Sequence, residues 1–272
     1  MSECYKYRYF KNNKLKLSEE FNDTEIQTGT SLYDVVRVMN GKALFLESHL
    51  QRLTTSAKLL KKELWVSTSE IKKKITQLSK INDVQEGNIK IVFNFFEKRR
   101  NFYCYFIPHK YPNTEQYQNG VKTILFQAVR ETPNAKVINP WLRNTSNDII
   151  KKARVYEIIL LNRLGHITEG SRSNIFLIRN NTIYTAPLED VLPGTVRQRV
   201  FDLCKKLSIP LVEKRIYFED IPKYDAAFLT GTSPMLLPIR RINSLGLNVN
   251  HPLLLTLISE HHKMISTYLQ NH

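Results

Sequence analysis

Short β-rich runs alternate with amphipathic helical segments along this chain, and the alternation restricts the possible folds more than any other feature. Valine and isoleucine gather in short runs typical of strands, whereas residues 46–64 carry leucine at steps of three and four residues, as in a helix with one buried face. The pattern therefore predicts an α/β (α+β) protein. With 272 residues, of which 42% are hydrophobic, the chain can build one or two domains with buried cores.

The predicted elements form two groups. The first contains a hairpin over 32–46, built around the Asn40-Gly41 turn signal, and the helix that follows it. A second helix over 71–78 and strands over 88–96 and 101–108 complete this group. The second group consists of strands over 121–129, 158–161, 225–229 and 236–239, two strand-like runs flanking Asn180-Asn181, and helices over 145–156, 195–207 and 253–269.

A polar segment, residues 109–120, separates the two groups. Its sequence, HKYPNTEQYQNG, contains Pro112 and ends in Asn119-Gly120, a composition typical of a connection between domains. We therefore expect a small N-terminal α/β domain over 1–108, a linker over 109–120 and a larger C-terminal domain over 121–272.

The net charge of +15 comes from 40 Lys and Arg residues against 25 Asp and Glu residues. A strongly basic chain can bind nucleic acid, but here the basic residues form scattered short clusters rather than one tail or patch. Attraction of small anionic substrates explains the charge more simply. The sequence thus favours a small-molecule partner over a nucleic acid.

Targeting segments and metal motifs are also missing from the sequence. No run approaches the roughly 18 apolar residues of a membrane span, and the first residues lack the apolar core of a secretory signal. Cys4, Cys104 and Cys204 match neither a disulfide framework nor a zinc site. These features predict a cytoplasmic protein with no membrane partner and no metal.

Three segments of the second group could carry chemistry. Residues 192–195, LPGT, lead into a predicted helix whose N–H groups could hold an anion, although a plain helix entry has the same appearance. Residues 230–234, TGTSP, offer hydroxyl donors between two strands, or a simple turn. Glu169 stands among small polar residues in TEGSRSN, residues 168–174, where it is either a shielded, aimed carboxylate or a solvated loop acid.

Four ordered blocks together resemble the class IV aminotransferase family, the fold-type IV enzymes that use pyridoxal 5'-phosphate. The blocks are YDVVRVMNGKALFLESHLQRL (33–53), LLNRLGHITEGSRSNIF (160–176), LEDVLPGTVRQRV (188–200) and DAAFLTGTSPMLLPI (225–239). The resemblance covers nearly the whole chain. It implies a two-domain homodimer whose C-terminal domain is built round a β-barrel-like sheet, with pyridoxal phosphate as the cofactor.

The resemblance also assigns cofactor-binding residues. Arg52, from HLQRL, corresponds to the arginine that contacts the cofactor phosphate, and Glu169 to the glutamate that bonds the pyridine nitrogen. The remaining residues implied to bind the cofactor are Asn174, Gly194, Thr195, Val196 and Thr232. The order Gly194-Thr195-Val196 departs from the family's usual order of glycine, aliphatic residue and threonine.

The Schiff-base lysine of the family lies a little over thirty residues before that glutamate and three residues before an asparagine. Lys136 meets both conditions, because 169 − 136 = 33 and Asn139 follows in NAKVIN. The rival lysines Lys151 and Lys152 fall on a predicted helix, where a charged doublet is typical of a solvated face. The catalytic pair implied by the resemblance is therefore Lys136 and Glu169.

The function implied is transfer of an amino group between an amino acid and a 2-oxo acid. The alternative within the family is a 4-amino-4-deoxychorismate lyase, which releases pyruvate and 4-aminobenzoate from a chorismate-derived substrate. A third possibility is a basic binding protein that kept the fold without catalysis. The segment 91–103 offers no clear counterpart of the arginine that binds the substrate carboxylate in the family, so the sequence leaves the substrate open.

Overall fold

The computed structural model describes residues 2–272, which form two compact units. The first unit contains the chain up to Lys110 together with residues 135–140 and 265–272. The second contains residues 111–134 and 141–264. The short segments 135–140 and 265–272, which lie inside the expected C-terminal domain, thus belong to the first unit.

The first unit is an antiparallel sheet with helices packed on it. Its elements are β1 (Arg8–Lys11), β2 (Lys14–Leu17), α1 (Asp23–Gln27), β3 (Thr30–Met39), β4 (Lys42–Ala43), α2 (Leu46–Leu59), α3 (Thr68–Ile81), β5 (Gly87–Phe96) and β6 (Arg99–Ile107). The six strands lie in the order β2-β1-β6-β5-β3-β4, and each strand pair is antiparallel. The hairpins β1-β2, β3-β4 and β5-β6 have short connections, whereas α2 and α3 lie in the connection from β4 to β5.

The sheet of the first unit is covered on both faces. One face packs against α2 and α3 through a single apolar cluster that includes Ile89, Ile91 and Phe93 of β5. The opposite face carries a second, more aromatic cluster made by Cys4, Tyr9, Phe21, Ile26, Val92, Tyr103 and Tyr105. Strand β5 is therefore buried along most of its length, including its polar residues Asn88, Lys90 and Asn94, and the Lys90 ammonium pairs with Glu3.

The hairpin predicted around Asn40-Gly41 is confirmed. Both residues have positive φ, 51° and 72°, as the favoured two-residue hairpin turn demands. The helix after it ends earlier than its leucine pattern suggested. Leu60 caps α2 and Lys61 takes a left-handed φ of 52°, so the chain leaves the helix there.

The second unit contains a ten-stranded sheet. Its elements are α4 (Thr114–Asn119), β7 (Val121–Gln127), α5 (Pro140–Ala153), β8 (Glu157–Leu161), β9 (His166–Gly170), β10 (Asn174–Arg179), β11 (Thr182–Thr185), α6 (Thr195–Lys206), β12 (Leu211–Glu213), β13 (Ile216–Tyr217), β14 (Ala226–Gly231), β15 (Met235–Ile242), β16 (Leu245–Gly246) and the part of α7 (Pro252–Asn271) that precedes residue 265. The strand order is β12-β11-β10-β14-β15-β7-β8-β9-β13, with β16 beside β15. The predicted α/β class is therefore confirmed.

The polar segment 109–120 is partly ordered rather than a plain loop. It contains α4, whose first turn is capped by the Asn113 side chain accepting from the Gln116 N–H. The Tyr117 hydroxyl donates to the Pro234 carbonyl, which holds this helix within the second unit. Among the described residues, none of the helices has the length and apolarity needed to cross a membrane.

His261 on α7 is a buried imidazole with a displaced pKa. Burial, followed by the nearby charges of His262 and Arg199, lowers its pKa from 6.5 to about 4. The unfolded chain therefore binds one more proton than the folded chain between these two pH values. The contribution of the neutral His261 side chain to the free energy of unfolding is complete above pH 6.5 and is lost as the pH falls from 6.5 to about 4.

We expect His261→Leu to remove part of the acid sensitivity of the protein. The displaced pKa corresponds to about 3 kcal/mol of stability lost between pH 6.5 and 4 in the parent chain. Urea unfolding at several pH values measures the difference between the two proteins. His272→Gln, at an exposed position that is not among the causes of the His261 shift, is the control and should keep the parent slope. An unchanged slope in His261→Leu would contradict the assignment.

Candidate active site

Asp34, His49 and Arg52 form a buried polar cluster between β3 and α2 in the first unit. Arg52 donates to Asp34 through Nε at 2.8 Å and through Nη2 at 2.7 Å, and His49 Nδ1 lies 2.8 Å from the same carboxylate. The three-residue step from His49 to Arg52 puts both on one helix face. The carboxylate thus fixes the direction of the guanidinium.

The charges in this cluster follow from burial and from Arg52. Burial opposes ionisation of Asp34, but Arg52 and His49 together outweigh it through their charges and hydrogen bonds and hold the carboxyl pKa well below its usual range. Burial lowers the pKa of His49 despite the attraction of Asp34. The result is an ion pair of Asp34 and Arg52 beside a neutral imidazole.

Lys136 lies next to this cluster in the first unit. Its backbone N–H donates to the Ser56 hydroxyl on α2 at 3.1 Å, one turn beyond Arg52. Its ammonium nitrogen lies 4.7 Å from the centroid of the Tyr33 ring. The Lys136 carbonyl accepts from the Tyr33 N–H at 3.0 Å. The side chain is half-buried, unlike that of a solvated loop lysine.

The segment that carries Lys136 is held as a short extension of the sheet. Residues 136–138 run antiparallel to β3, with Val137 opposite Leu32 and the Ile138 N–H donating to the Ser31 carbonyl. This pairing fixes the backbone on either side of the lysine. Lys136 thus lies at the start of a segment that is hydrogen-bonded to a strand, although no regular strand contains it.

Glu169 is the buried acid of the second unit. Its Oε1 lies 2.7 Å from Arg130 Nε, and its Oε2 accepts from the Leu192 N–H at 3.1 Å and from Asn174 Nδ2 at 3.3 Å. Only 3% of the residue is exposed. A carboxylate so enclosed is held in one orientation, and its two oxygens together can accept about four hydrogen bonds.

The turn after Glu169 is anchored by a second buried acid, Glu157. Its carboxylate accepts from the Ser171 hydroxyl at 2.6 Å, the Ser173 hydroxyl at 3.2 Å and the Arg172 N–H at 3.2 Å. The Ser171 carbonyl in turn accepts from Arg130 Nη2 at 2.7 Å. Glu157 therefore acts on Glu169 through this turn and Arg130.

The N-terminus of α6 begins at a glycine. Gly194 stands at the N-cap, so the cap residue has no side chain that could bond the amides of the first turn. The first intrahelical bond runs from the Gln198 N–H to the Gly194 carbonyl, so the amides before Gln198 point out of the helix. A Cβ on Gly194 would overlap Asn174 Oδ1, so only glycine fits. Such an end is suited to an anion.

Asn174 connects the acid, the helix end and the hydroxyl-rich turn. Its Nδ2 donates to the Leu192 carbonyl at 2.9 Å, and its backbone pairs with Thr230 on β14. Thr232 follows two residues later in the turn between β14 and β15. The second unit thus combines a buried carboxylate, helix-end amides and hydroxyls, which suit a protonated ring nitrogen and a phosphate.

The comparison with known families shows to which family the chain belongs. The model of the class IV amino-transferases matches residues 31–242, well over half of the chain. The chain belongs to this family. Class IV aminotransferases are pyridoxal-phosphate enzymes, so the residues described above have a defined chemical context.

The relatives of this class IV chain carry more than one activity in their names. It is 29% identical over 264 residues to a D-alanine aminotransferase of Bacillus licheniformis, covering 93% of this chain and 90% of that protein. The structure of a branched-chain amino acid aminotransferase from Escherichia coli is similar, with TM-score 0.85, 18% identity and coverage of 96% and 95%. A putative 4-amino-4-deoxychorismate lyase from Legionella pneumophila matches with TM-score 0.78, 22% identity and coverage of 86% and 91%. The two structures confirm the fold-type IV fold.

The residues named from the sequence fall into two sets in this class IV fold. Arg52 and Lys136 lie together in the first unit. The second unit holds the others, namely Glu169, Asn174, Gly194, Thr195, Val196 and Thr232. The rival lysines Lys151 and Lys152 are exposed on α5. The roles of all these residues toward the cofactor remain predictions.

The sequence did not identify the partners that hold these residues. Asp34 and His49 were detectable in principle, because they lie in the same block as Arg52 and contact it directly. Arg130 had no signal, since an isolated arginine in a loop gives no indication of the acid that it pairs with. The same holds for Glu157, whose donors are common serines and a backbone amide.

We expect Asp34→Asn to destabilise the first unit strongly. The substitution keeps the shape but leaves the Arg52 guanidinium buried without its counter-charge, which should cost about 3 to 5 kcal/mol. Urea unfolding measures the loss. Asp220→Asn removes the acid of an exposed pair with Lys223 and serves as the control, for which we expect little change. Equal effects of the two substitutions would contradict a structural role of the buried pair.

Proposed function

We propose that this protein is a pyridoxal-phosphate-dependent aminotransferase that moves an amino group between an amino acid and a 2-oxo acid. The observation that carries the proposal is the buried Glu169 carboxylate, held by Arg130 and by the Leu192 N–H within a class IV fold. Burying a charged carboxylate in this way costs free energy. The burial is explained if the carboxylate bonds the protonated pyridine nitrogen of the cofactor. The cofactor, when bound, supplies an electron sink for the carbanion formed at the substrate Cα.

Two groups of residues fit the two ends of the cofactor. We assign its pyridine nitrogen to Glu169, whose carboxylate can accept an N–H while Arg130 keeps it oriented. We assign its phosphate to the amides of Thr195 and Val196 at the Gly194 helix entry and to the hydroxyl of Thr232, and the family resemblance adds Arg52 as the cationic partner. A helix N-terminus and a guanidinium are both well suited to phosphate.

We assign the covalent Schiff-base link to Lys136. Its amine is held against Tyr33 on a segment fixed by hydrogen bonds to β3 and to Ser56. A lysine that is partly shielded from water and near another cation is a better nucleophile than a solvated one. Once displaced by the substrate amine, the Lys136 amine can carry the Cα proton as base and then as acid.

The lyase alternative shares every residue of this assignment and differs in the fate of the substrate. It is supported by one structural neighbour with 22% identity, which bears on the fold alone. Incubation with a panel of D- and L-amino acids plus 2-oxo acids, and separately with aminodeoxychorismate, separates the two activities. Transfer of an amino group supports the proposal, whereas pyruvate and 4-aminobenzoate without transfer would replace it by the lyase.

A homodimer in the cytoplasm completes the proposal. The dimer is supported by the family resemblance, and the location by the sequence features described above. The partners are the small-molecule amino acid and 2-oxo acid.

Lys136→Ala should abolish the covalent attachment of the cofactor. In the parent protein, borohydride reduction followed by peptide mapping should place the cofactor on the peptide that contains Lys136. The controls are Lys151→Ala and Lys152→Ala, which alter exposed lysines of α5 and should leave the labelled peptide unchanged. Labelling of a single other lysine in Lys136→Ala would show that the assignment is wrong.

Glu169→Gln should slow the chemistry while cofactor attachment continues. The amide keeps the shape but stabilises a protonated ring nitrogen less well, and the loss of this contact should cost about 2 to 4 kcal/mol, or roughly 30- to 1,000-fold in rate. Single-turnover loss of the Cα proton, measured at equal cofactor occupancy, tests the change. Glu260→Gln on α7 is the control and should keep the parent rate. An unchanged rate in Glu169→Gln would remove this residue from the mechanism.

A further inference from the structure

Arg197 is a buried arginine in the first turn of α6 that the proposed mechanism does not use. It follows the Gly194 entry of the helix by three residues, and only 4% of the residue is exposed. Arginine is seldom buried to this extent unless its charge and its N–H groups are compensated. Its position, next to the helix end to which we assign the cofactor phosphate, therefore needs an explanation.

The contacts of the Arg197 side chain connect α6 to the sheet of the second unit. Its Nη2 donates to the Ala186 carbonyl at 3.1 Å and to Glu213 Oε1 at 2.5 Å. Its guanidinium carbon lies 4.6 Å from the centroid of the Phe201 ring, which belongs to the next turn of α6. The guanidinium is thus directed along the helix toward its second turn, and it links the helix to the sheet.

The two acceptors of Arg197 are held side by side. Ala186 directly follows β11, and Glu213 is the last residue of β12. These strands are parallel neighbours with Thr185 opposite Glu213, and the Lys214 N–H donates to the Thr185 carbonyl at 3.0 Å. One guanidinium group therefore fixes the first turn of α6 at the ends of two paired strands.

The entry of α6 lacks the side chains that usually stabilise a helix N-terminus. Gly194 at the N-cap has no side chain, and residues 195–198, TVRQ, contain no acid. A capping side chain is typically worth about 1 kcal/mol, and an acid in the first turn adds to it through the helix dipole. Without them the first-turn amides stay available to an anion, but another contact has to hold the turn. Arg197 supplies this contact from the side of the helix.

We propose that Arg197 and Glu213 are a positioning pair, which holds the first turn of α6 in the geometry that binds the cofactor phosphate. This inference rests on the proposed function, because it takes that helix end as the phosphate site. The pair acts through the amides of Thr195 and Val196. Donors that are fixed before binding give a higher affinity, because they do not have to be ordered when the ligand arrives.

The contribution of the phosphate can be measured by itself with two ligands. Pyridoxal has the ring and the aldehyde of pyridoxal phosphate but no phosphate group. The full-length protein, freed of cofactor, is titrated with each compound, and binding is followed by absorbance. The dissociation constant of pyridoxal divided by that of pyridoxal phosphate is the phosphate ratio. Arg197→Met should lower this ratio at least about tenfold, because displaced donors bind phosphate less well, and should leave the pyridoxal affinity near the parent value.

Glu213→Gln separates positioning from a simple effect of charge. It removes the carboxylate but keeps the positive charge of Arg197, so an effect of charge alone would raise the phosphate ratio. The positioning pair predicts the opposite result, a fall of about three- to tenfold. The Glu213 side chain is 37% exposed, so this variant tests the proposal even if Arg197→Met does not fold. A raised ratio in Glu213→Gln would overturn the proposal.

The same helix offers a matched control. Arg199→Met removes the same charge from the first two turns of α6, but its ion pair with Asp202, at 3.1 Å, lies within the helix. We expect the phosphate ratio of this variant to stay near the parent value. Arg197→Lys, which keeps the charge, should restore part of the ratio lost in Arg197→Met. If Arg197→Met and Glu213→Gln lower the melting temperature but keep the parent ratio, the pair is only structural and the proposal fails.

The binding measurement also separates this inference from the proposed function. A lowered phosphate ratio in both variants, together with no amino transfer by the parent protein from any amino acid, would keep the positioning pair and overturn the reaction. Normal amino transfer by the parent protein, with an unchanged phosphate ratio in the variants, would keep the reaction and overturn the pair.

Discussion

The carboxylate of Asp34 is enclosed on every side, and a charge in such a place persists only if its neighbours compensate it. Arg52 does so with two hydrogen bonds, and this pairing joins β3 to α2 at a fixed register. Because side chains alternate along a strand, Tyr33 then points to the other face of the sheet. Lys136 contacts both α2 and Tyr33. Its backbone N–H donates to the Ser56 hydroxyl on α2, and its amine lies over the Tyr33 ring.

The second unit contains two buried carboxylates, and each is compensated in a different way. Glu169 is paired with an arginine, and its second oxygen takes neutral donors. Glu157 takes neutral donors from the turn and from its own strand, with hydroxyls and backbone amides around the carboxylate. The pairing with Arg130 orients the Glu169 carboxylate, whereas the donors around Glu157 shape the turn that follows Glu169. The two acids are joined through Arg130, so their functions are linked by contacts rather than by sequence proximity.

Local patterns made much of the fold predictable. The Asn40-Gly41 hairpin, β5 and α6 follow from turn chemistry and periodicity, which act within a few residues. Strands β1 and β2 were missed because each spans only four residues of a strongly basic segment, and Leu15 and Leu17 of β2 are exposed, so the short Lys-Leu alternation there marks no buried face. Residues of the site were named through ordered motifs, but Arg130 and Lys90 pair with acids far away in the sequence. Only the folded chain brings such partners together.

The division of the chain between the two units has a consequence for protein synthesis. The first unit needs residues 136–138 beside β3, and it needs Tyr268, whose hydroxyl donates to Glu47 on α2. Its polypeptide is thus dispersed from the beginning of the chain to the end. A ribosome that has made the chain up to Lys110 has not yet made all the parts of the first unit. This unit therefore acquires its complete set of contacts only after residues 265–272 have been synthesised, although domains generally fold in order from the N-terminus.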